Sequence, residues 1–301
     1  MNRRDFIRCA ALAAMTTGLS RAIPSVWGSE TSKDTPIYPK DENLVAIFSD
    51  IHLHGPETIQ HVVRFNQCVD NILAMNPQPA NLLIYGDVAY LEGKIEEYQL
   101  FRRLIEPIEK AGIHWEIVMG NHDRIAHFRQ IFPERFEKPE ILKDRYINIV
   151  KTPRADFILL DSYKQGCVEG IIEPEQKAWL KETLKGYTDK PVFVGCHHPL
   201  RETELADTLK ACPKFAAYLH GHNHWWRNTV EERVQTLCFP STGHWGDMGF
   251  VLLTLSETDA LFTPFIDAYE YPAWSKYTRP EKDVEKYLRR LNNSSVTVKL
   301  P

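Results

Sequence analysis

Short apolar runs alternate along the chain with longer segments whose apolar residues recur every three or four positions. The runs at 44–48, 82–85, 117–119, 157–160, 192–194 and 215–219 have the length and abrupt ends of strands buried on both faces. Between them, Ile59, Val62, Val63, Val69, Ile72 and Leu73 keep helical spacing up to a stop at Asn76-Pro77. Ile95, Tyr98, Leu104, Ile105 and Ile108 predict a second helix ending at Gly112, which Pro107 should kink or shorten. A third helix opens at Pro174, carries Ala178, Trp179, Leu180 and Leu184 on one face, and stops at Gly186. From Val234 the pattern changes to adjacent strands at 234–239, 249–255 and 260–265, which predict a second, partly antiparallel sheet. The fold class expected is α/β, a two-sheet β-sandwich flanked by helices in four layers. The tail adds a possible helix at 280–291 and then a polar stretch.

The chain has 301 residues, enough for one large domain. It opens Met1-Asn2-Arg3-Arg4-Asp5-Phe6-Ile7-Arg8, continues through an Ala-rich apolar stretch too short to span a bilayer, and meets small residues near Ala22 and Gly28. This resembles a twin-arginine export signal, which implies a periplasmic or otherwise exported protein. The expected organisation is an export signal at 1–28, a Ser-, Thr- and Pro-containing linker at 29–42, the main domain at 43–266, and a C-terminal appendage at 267–301. With 36 basic and 40 acidic residues, and four of the arginines inside the signal, no basic nucleic-acid surface is indicated. Cys68, Cys167, Cys196, Cys212 and Cys238 lie beyond the signal without CxxC spacing, so a thiolate zinc site is not expected and buried free thiols are the default.

Polar clusters follow the predicted strands, at the carboxyl ends where open α/β sheets place their ligands. They read Ser49-Asp50-Ile51-His52, Gly86-Asp87, Gly120-Asn121-His122-Asp123, Cys196-His197-His198-Pro199 and His220-Gly221-His222-Asn223-His224. Taken singly, each could be a turn held by side-chain to backbone hydrogen bonds. Taken together, Asp50, His52, Asp87, Asn121, His197, His222 and His224 offer oxygen and nitrogen donors without sulfur, which suits two neighbouring divalent or trivalent ions of borderline hardness.

The series DxH, GD, GNHD, HHP and GHxH resembles the calcineurin-like metallophosphoesterase superfamily, over about residues 44–255. The resemblance implies two metal ions, divalent or mixed-valence, from among Mn, Fe, Zn and Co. It implies that Asp50, His52 and His224 hold the first, that Asn121, His197 and His222 hold the second, and that Asp87 bridges them. It further implies hydrolysis of a small-molecule phosphate ester by in-line attack of a metal-bridging hydroxide, with His122 protonating the leaving oxygen. Asp123 is expected to orient His122, because a carboxylate beside it opposes the loss of its proton near two cations.

The stretch from Gly120 to Phe132, together with Leu160-Asp161-Ser162 and His197-His198-Pro199, is similar to class III cyclic-nucleotide phosphodiesterases and glycerophosphodiesterases. That similarity favours diesters. A phosphomonoesterase of acid-phosphatase type remains the alternative, since Asp87-Val88-Ala89-Tyr90 is similar to the Asp-x-x-Tyr of purple acid phosphatases, whose Tyr binds iron. Those enzymes carry Gly where this chain has His52, so Tyr90 is read as packing against the site or touching substrate. A non-catalytic scaffold of the same fold is the third reading, disfavoured because every candidate ligand is present. His198 is expected behind the ligands, and His244, in the loop 240–246, is a candidate substrate contact. His54 is left between cleft and surface loop, and His61, His114 and His127 are expected to have no part in the chemistry.

Overall fold

The computed structural model describes residues 38–137, 140–270 and 284–301. The expected export signal and most of the expected linker lie outside the described residues. Twelve strands and six α-helices follow in the order β1 (Lys40–Phe48), α1 (Gln60–Leu73), β2 (Gln78–Ile84), α2 (Ile95–Lys110), β3 (His114–Ile117), α3 (Ile125–Ile131), β4 (Asn148–Lys151), β5 (Asp156–Leu159) and α4 (Pro174–Lys185). They continue as β6 (Val192–Gly195), α5 (Ala206–Lys210), β7 (Phe215–His220), β8 (Arg227–Glu231), β9 (Val234–Cys238), β10 (Gly246–Leu255), β11 (Asp259–Glu270), α6 (Val284–Asn292) and β12 (Val296–Lys299).

Two six-stranded sheets result, ordered β12-β11-β10-β1-β2-β3 and β4-β5-β6-β7-β9-β8. In the first, β1, β2 and β3 are parallel, and β10 lies antiparallel against the other side of β1. In the second, β5, β6, β7 and β9 are parallel, with β4 and β8 antiparallel at the two edges. The late strands therefore do not form a sheet of their own, as their adjacency suggested. β9 joins the second sheet, and β10, β11 and β12 complete the first. The reason is the open side of β1: the successive helical crossovers carry β2 and β3 away in one direction, leaving the opposite backbone edge to be paired by the returning chain.

Strand periodicity divides the core. Val45 and Ile47 of β1 and Leu83 of β2 meet Phe157, Leu159, Phe193, Ala217 and Leu219 between the sheets. The alternate residues Ala46, Phe48, Leu82 and Ile84 face Val62, Phe65, Val69 and Ile72 of α1 and Tyr98, Phe101 and Ile105 of α2. On the far side, Ile158, Val192 and Val194 face Leu180 and Leu184 of α4 and Leu209 of α5. The layers run helix, sheet, sheet, helix. Each buried Val, Leu, Ile or Phe contributes roughly 1.5–3 kcal/mol, and a one-residue slip would exchange the two faces of a strand. That fixes the register, and with it the height at which each polar loop emerges.

Three details differ from the periodic reading. α2 continues through Pro107 to Lys110, because the proline falls in the last turns, where one lost backbone bond is tolerated. β1 begins at Lys40, within the expected linker, and pairs there with Gln78. β11 runs across the expected boundary at 266/267, and β12 pairs with it. α6 packs Tyr287, Leu288 and Leu291 into the inter-sheet core, and the Asn292 amide donates to Ile266 O and accepts from Ile266 N, both at 2.7 Å.

Candidate active site

All five polar loops leave the carboxyl ends of parallel strands, those after β1, β2 and β3 from the first sheet and those after β6 and β7 from the second. Because the sheets are face to face, the loops converge above the inter-sheet core. The chain turns there with unusual backbone: Asp50, His52, Asp87, His222 and His224 all have positive φ, from 49° to 67°. Left-handed conformation costs a non-glycine residue roughly 1–2 kcal/mol, so the surrounding contacts hold these side chains in place against their own preference. Close approach of the loops also explains Gly120, where a Cβ would come within 2.2 Å of the Asp87 carboxylate.

The seven candidate ligands meet in two sets. In one, His224 Nε2 lies 3.2 Å from Asp50 Oδ1, His52 Nε2 lies 3.3 Å from His224 Nε2, and His52 Nε2 is 3.7 Å from Asp87 Oδ2. In the other, His197 Nε2 is 3.2 Å from both Asp87 Oδ2 and Asn121 Oδ1, and His222 Nδ1 is 3.0 Å from Asn121 Oδ1 and 3.3 Å from His197 Nε2. Asp87 stands between them. Its Oδ1 accepts the His122 backbone N–H at 2.9 Å, which aims Oδ2 at both sets.

The opposite faces of three imidazoles fix their tautomers. The Nδ1 atoms of His52, His197 and His224 lie 3.1, 2.7 and 2.9 Å from the carbonyl oxygens of Tyr90, Tyr85 and Trp245. A carbonyl only accepts, so each Nδ1 carries the proton and, in the neutral ring, Nε2 turns a lone pair inward. Asp50 accepts from Ser49 Oγ at 2.5 Å and from the His222 backbone N–H. Burial would raise the Asp50 carboxyl, but His224 and His197 outweigh it and hold it far below the usual carboxylate range. The same opposition, with His197 outweighing burial, keeps Asp87 low. Burial pushes His52 and His222 down to about 3, whereas for His197 the two carboxylates overcome burial and lift it to about 10. Two buried carboxylates among inward lone pairs form a place that draws positive charge. This donor chemistry fits metal ions of the Mn, Fe, Zn or Co kind.

His122 lies beside the two sets, with Nε2 4.0 Å from Asp87 Oδ2, and its Nδ1 donates to Leu91 O at 3.0 Å. Asp123 does not orient it. The Asp123 carboxylate turns the other way and accepts from the backbone N–H of Gly120 and Ala89 at 3.0 and 3.1 Å and from Tyr98 Oη at 3.0 Å, clamping the loops after β2 and β3 to α2. The Leu91 carbonyl, bonded to Nδ1, does the work expected of the carboxylate. Burial and the nearby Asp87 charge push Asp123 up to about 6.

Among the remaining candidates, His198 uses both nitrogens within the protein, Nδ1 with Ser162 Oγ at 2.7 Å and Nε2 with Val168 O at 3.0 Å. Tyr90 meets His52 through its carbonyl, and its ring stacks on His54 at 3.9 Å. His244 lines the cavity above the two sets and bonds to His61, which periodicity had left without a role. The cavity, about 580 Å³, is rimmed by Leu91, Val168, Trp225 and Trp245, and no Lys or Arg lines it among the described residues. Leu91 and Val168 are 56% and 62% exposed. The five cysteines beyond residue 28 are free. No helix among the described residues is long and apolar enough to cross a membrane.

Comparison with known proteins agrees with this geometry. A family model described as calcineurin-like phosphoesterase matches residues 44–226. The chain is 27% identical over 218 residues to a 3′,5′-cyclic adenosine monophosphate phosphodiesterase of Pseudomonas aeruginosa, covering 66% of this chain and 76% of that one. It is 24% identical over 194 residues to a glycerophosphodiester phosphodiesterase of Enterobacter lignolyticus, covering 58% and 67%. A purple acid phosphatase from yellow lupin superposes with a TM-score of 0.55 at 15% identity, over 74% of this chain and 51% of that one, a likeness of fold alone.

Proposed function

The chain belongs to the calcineurin-like phosphoesterase family, and from that premise we propose that it is a two-metal phosphodiesterase acting on small phosphate diesters. It is a metal-dependent phosphoric ester hydrolase. The pair of donor sets sharing Asp87 carries the reading of two ions. Asp50, His52 and His224 would hold one and Asn121, His197 and His222 the other, with Asp87 contributing to both. When bound, the ions supply Lewis acidity toward phosphoryl oxygens and a water of lowered pKa.

The chain's own groups do the rest. Backbone carbonyls keep His52, His197 and His224 in the tautomer whose Nε2 faces inward. The Nδ1 proton of His122 is committed to Leu91, so any second proton sits on Nε2, beside Asp87 and facing the cavity. From that atom it is given to the departing alcohol oxygen, which makes His122 the general acid.

The preference for diesters is supported by the cavity. A monoester dianion gains from an additional cationic side chain, whereas this cavity offers apolar rim residues suited to two organic substituents. The test is the metal-reconstituted protein on bis(p-nitrophenyl) phosphate and p-nitrophenyl phosphate. Turnover of the monoester with an inert diester would reject the proposal.

We further propose export of the chain by a twin-arginine signal at residues 1–28, motivated by Arg3-Arg4 ahead of the Ala-rich stretch. Export that survives replacement of both arginines by Lys would reject it.

A further inference from the structure

The two sheets end in four edge strands, and β8 is the least guarded of them. β3, β4 and β12 have four residues each, and β4 and β12 carry a lysine, which discourages addition of a further strand. β8 has five, Arg227-Asn228-Thr229-Val230-Glu231, with no Lys or Pro and with Val230 72% exposed. Among the described residues no strand pairs with its far side.

The turn that follows fixes which backbone groups that side presents. Glu232 and Arg233 have φ of 50° and 66°, as in a two-residue type I′ turn, and Glu231 and Val234 flank it as partners in register. The flanking pair of such a hairpin exchanges both of its hydrogen bonds, and the pattern alternates from there. Glu231, Thr229 and Arg227 thus bond inward to β9, and the N–H and C=O groups of Asn228 and Val230 point outward.

The same five residues are complementary to their own reverse. When two β8 strands lie antiparallel about a two-fold axis at Thr229, Asn228 of each faces Val230 of the other, so every outward N–H meets an outward C=O. Arg227 then faces the partner's Glu231, and the reverse, at the non-bonded positions where side chains approach most closely. Within one chain these charges are lightly committed. Arg227 Nη1 donates to Trp226 O at 3.0 Å and no acidic group among the described residues pairs with it, while Glu231 lies 3.9 Å from Arg201 and its Oε2 has no hydrogen bond. We infer that β8 is an interaction surface for a second copy of this chain, joining two six-stranded sheets into one through backbone pairing centred on Thr229 and reciprocal Arg227–Glu231 ion pairs. The surface adjoins the cavity, because the Arg227 guanidinium also lies over the ring of Trp225 on its rim, at 5.7 Å.

Sedimentation velocity of the full chain at about 100 µM, above the micromolar dissociation constants common for small interfaces, tests this. Wild type should sediment as a dimer. Arg227→Glu and Glu231→Arg should each be monomeric, because each places like charges opposite one another, whereas their equimolar mixture and the double variant should be dimeric again. Circular dichroism of each variant checks that the fold is kept. Thr229→Cys, in a Cys167→Ser background, should form an intermolecular disulfide on mild oxidation, since the axis brings the two residues 229 together. A monomeric wild type, a dimer that survives both single variants, a mixture that stays monomeric, or a Thr229→Cys protein that does not cross-link would each overturn the inference.

Discussion

His52 and His224 face each other Nε2 to Nε2 at 3.3 Å, although each has given its only proton to a backbone carbonyl on the opposite side of its ring. Two lone pairs at that distance repel unless a cation lies between or beside them. Removal of metal by a chelator should therefore lower the melting temperature, and a cation at a hundred times its dissociation constant should restore about 2.7 kcal/mol. Thermal unfolding with EDTA and with Mn or Zn added back measures this. Identical curves under both conditions would mean that the donors do not form a metal site.

His122→Ala should leave metal content unchanged and lower kcat by about 10²–10⁴-fold, the usual worth of a general acid. The residue stands beside both donor sets, with its Nδ1 held by Leu91 O and its Nε2 4.0 Å from Asp87 Oδ2. Metal analysis beside steady-state kinetics separates the two effects, and a variant that loses an ion would show His122 to be a ligand.

Asp123→Ala should behave differently, as a fault of architecture. The carboxylate accepts from Gly120 N, Ala89 N and Tyr98 Oη while buried, and each donor left unpaired costs about 1–3 kcal/mol. A loss of about 3 kcal/mol or more in denaturant unfolding is expected. Wild-type stability with the rate of the His122→Ala variant would instead restore the orienting role.

Asp161 supplies a pH dependence. Burial pushes its carboxyl up to about 6, against the pull of backbone N–H bonds from Tyr146 and Tyr163, from an ordinary value of 3.8. The folded state then holds a proton that the unfolded chain has released. The contribution to stability is complete below about pH 4 and is lost as pH rises through 6. The stability of wild type relative to Asp161→Asn should thus fall across pH 4–6, by on the order of 3 kcal/mol. Parallel urea-unfolding titrations of the two proteins test it, and a difference that stays flat with pH would refute it.

Much of this geometry was legible because it depends on side-chain identity and strand ends. A doubly buried apolar run ends where polar residues begin, so Asp50, Asp87, Asn121, His197 and His222 could be assigned to one edge of the sandwich before any coordinates. Carbonyl partners were not legible. Leu91, Tyr85, Tyr90 and Trp245 orient histidines through backbone oxygen atoms, which every residue has, and nothing in the sequence distinguishes them. Asp123 misled because adjacency in sequence suggested contact with His122, whereas successive residues leaving a strand point to opposite sides. The assignment of β10 to the first sheet was hidden for a similar reason: periodicity shows that a strand is buried but does not name its neighbour.

The strand order bears on how the molecule is made. β1 begins at Lys40, yet one of its two neighbours, β10, begins at Gly246. A ribosome must emit some two hundred residues before that side of β1 can be sealed, and until then the strand bearing the Asp50 and His52 loop presents an unpaired backbone edge. That side of β1 therefore stays open until β10 has emerged. A fragment ending before β10 should be captured by chaperones or aggregate, even though every candidate metal ligand has already been synthesised.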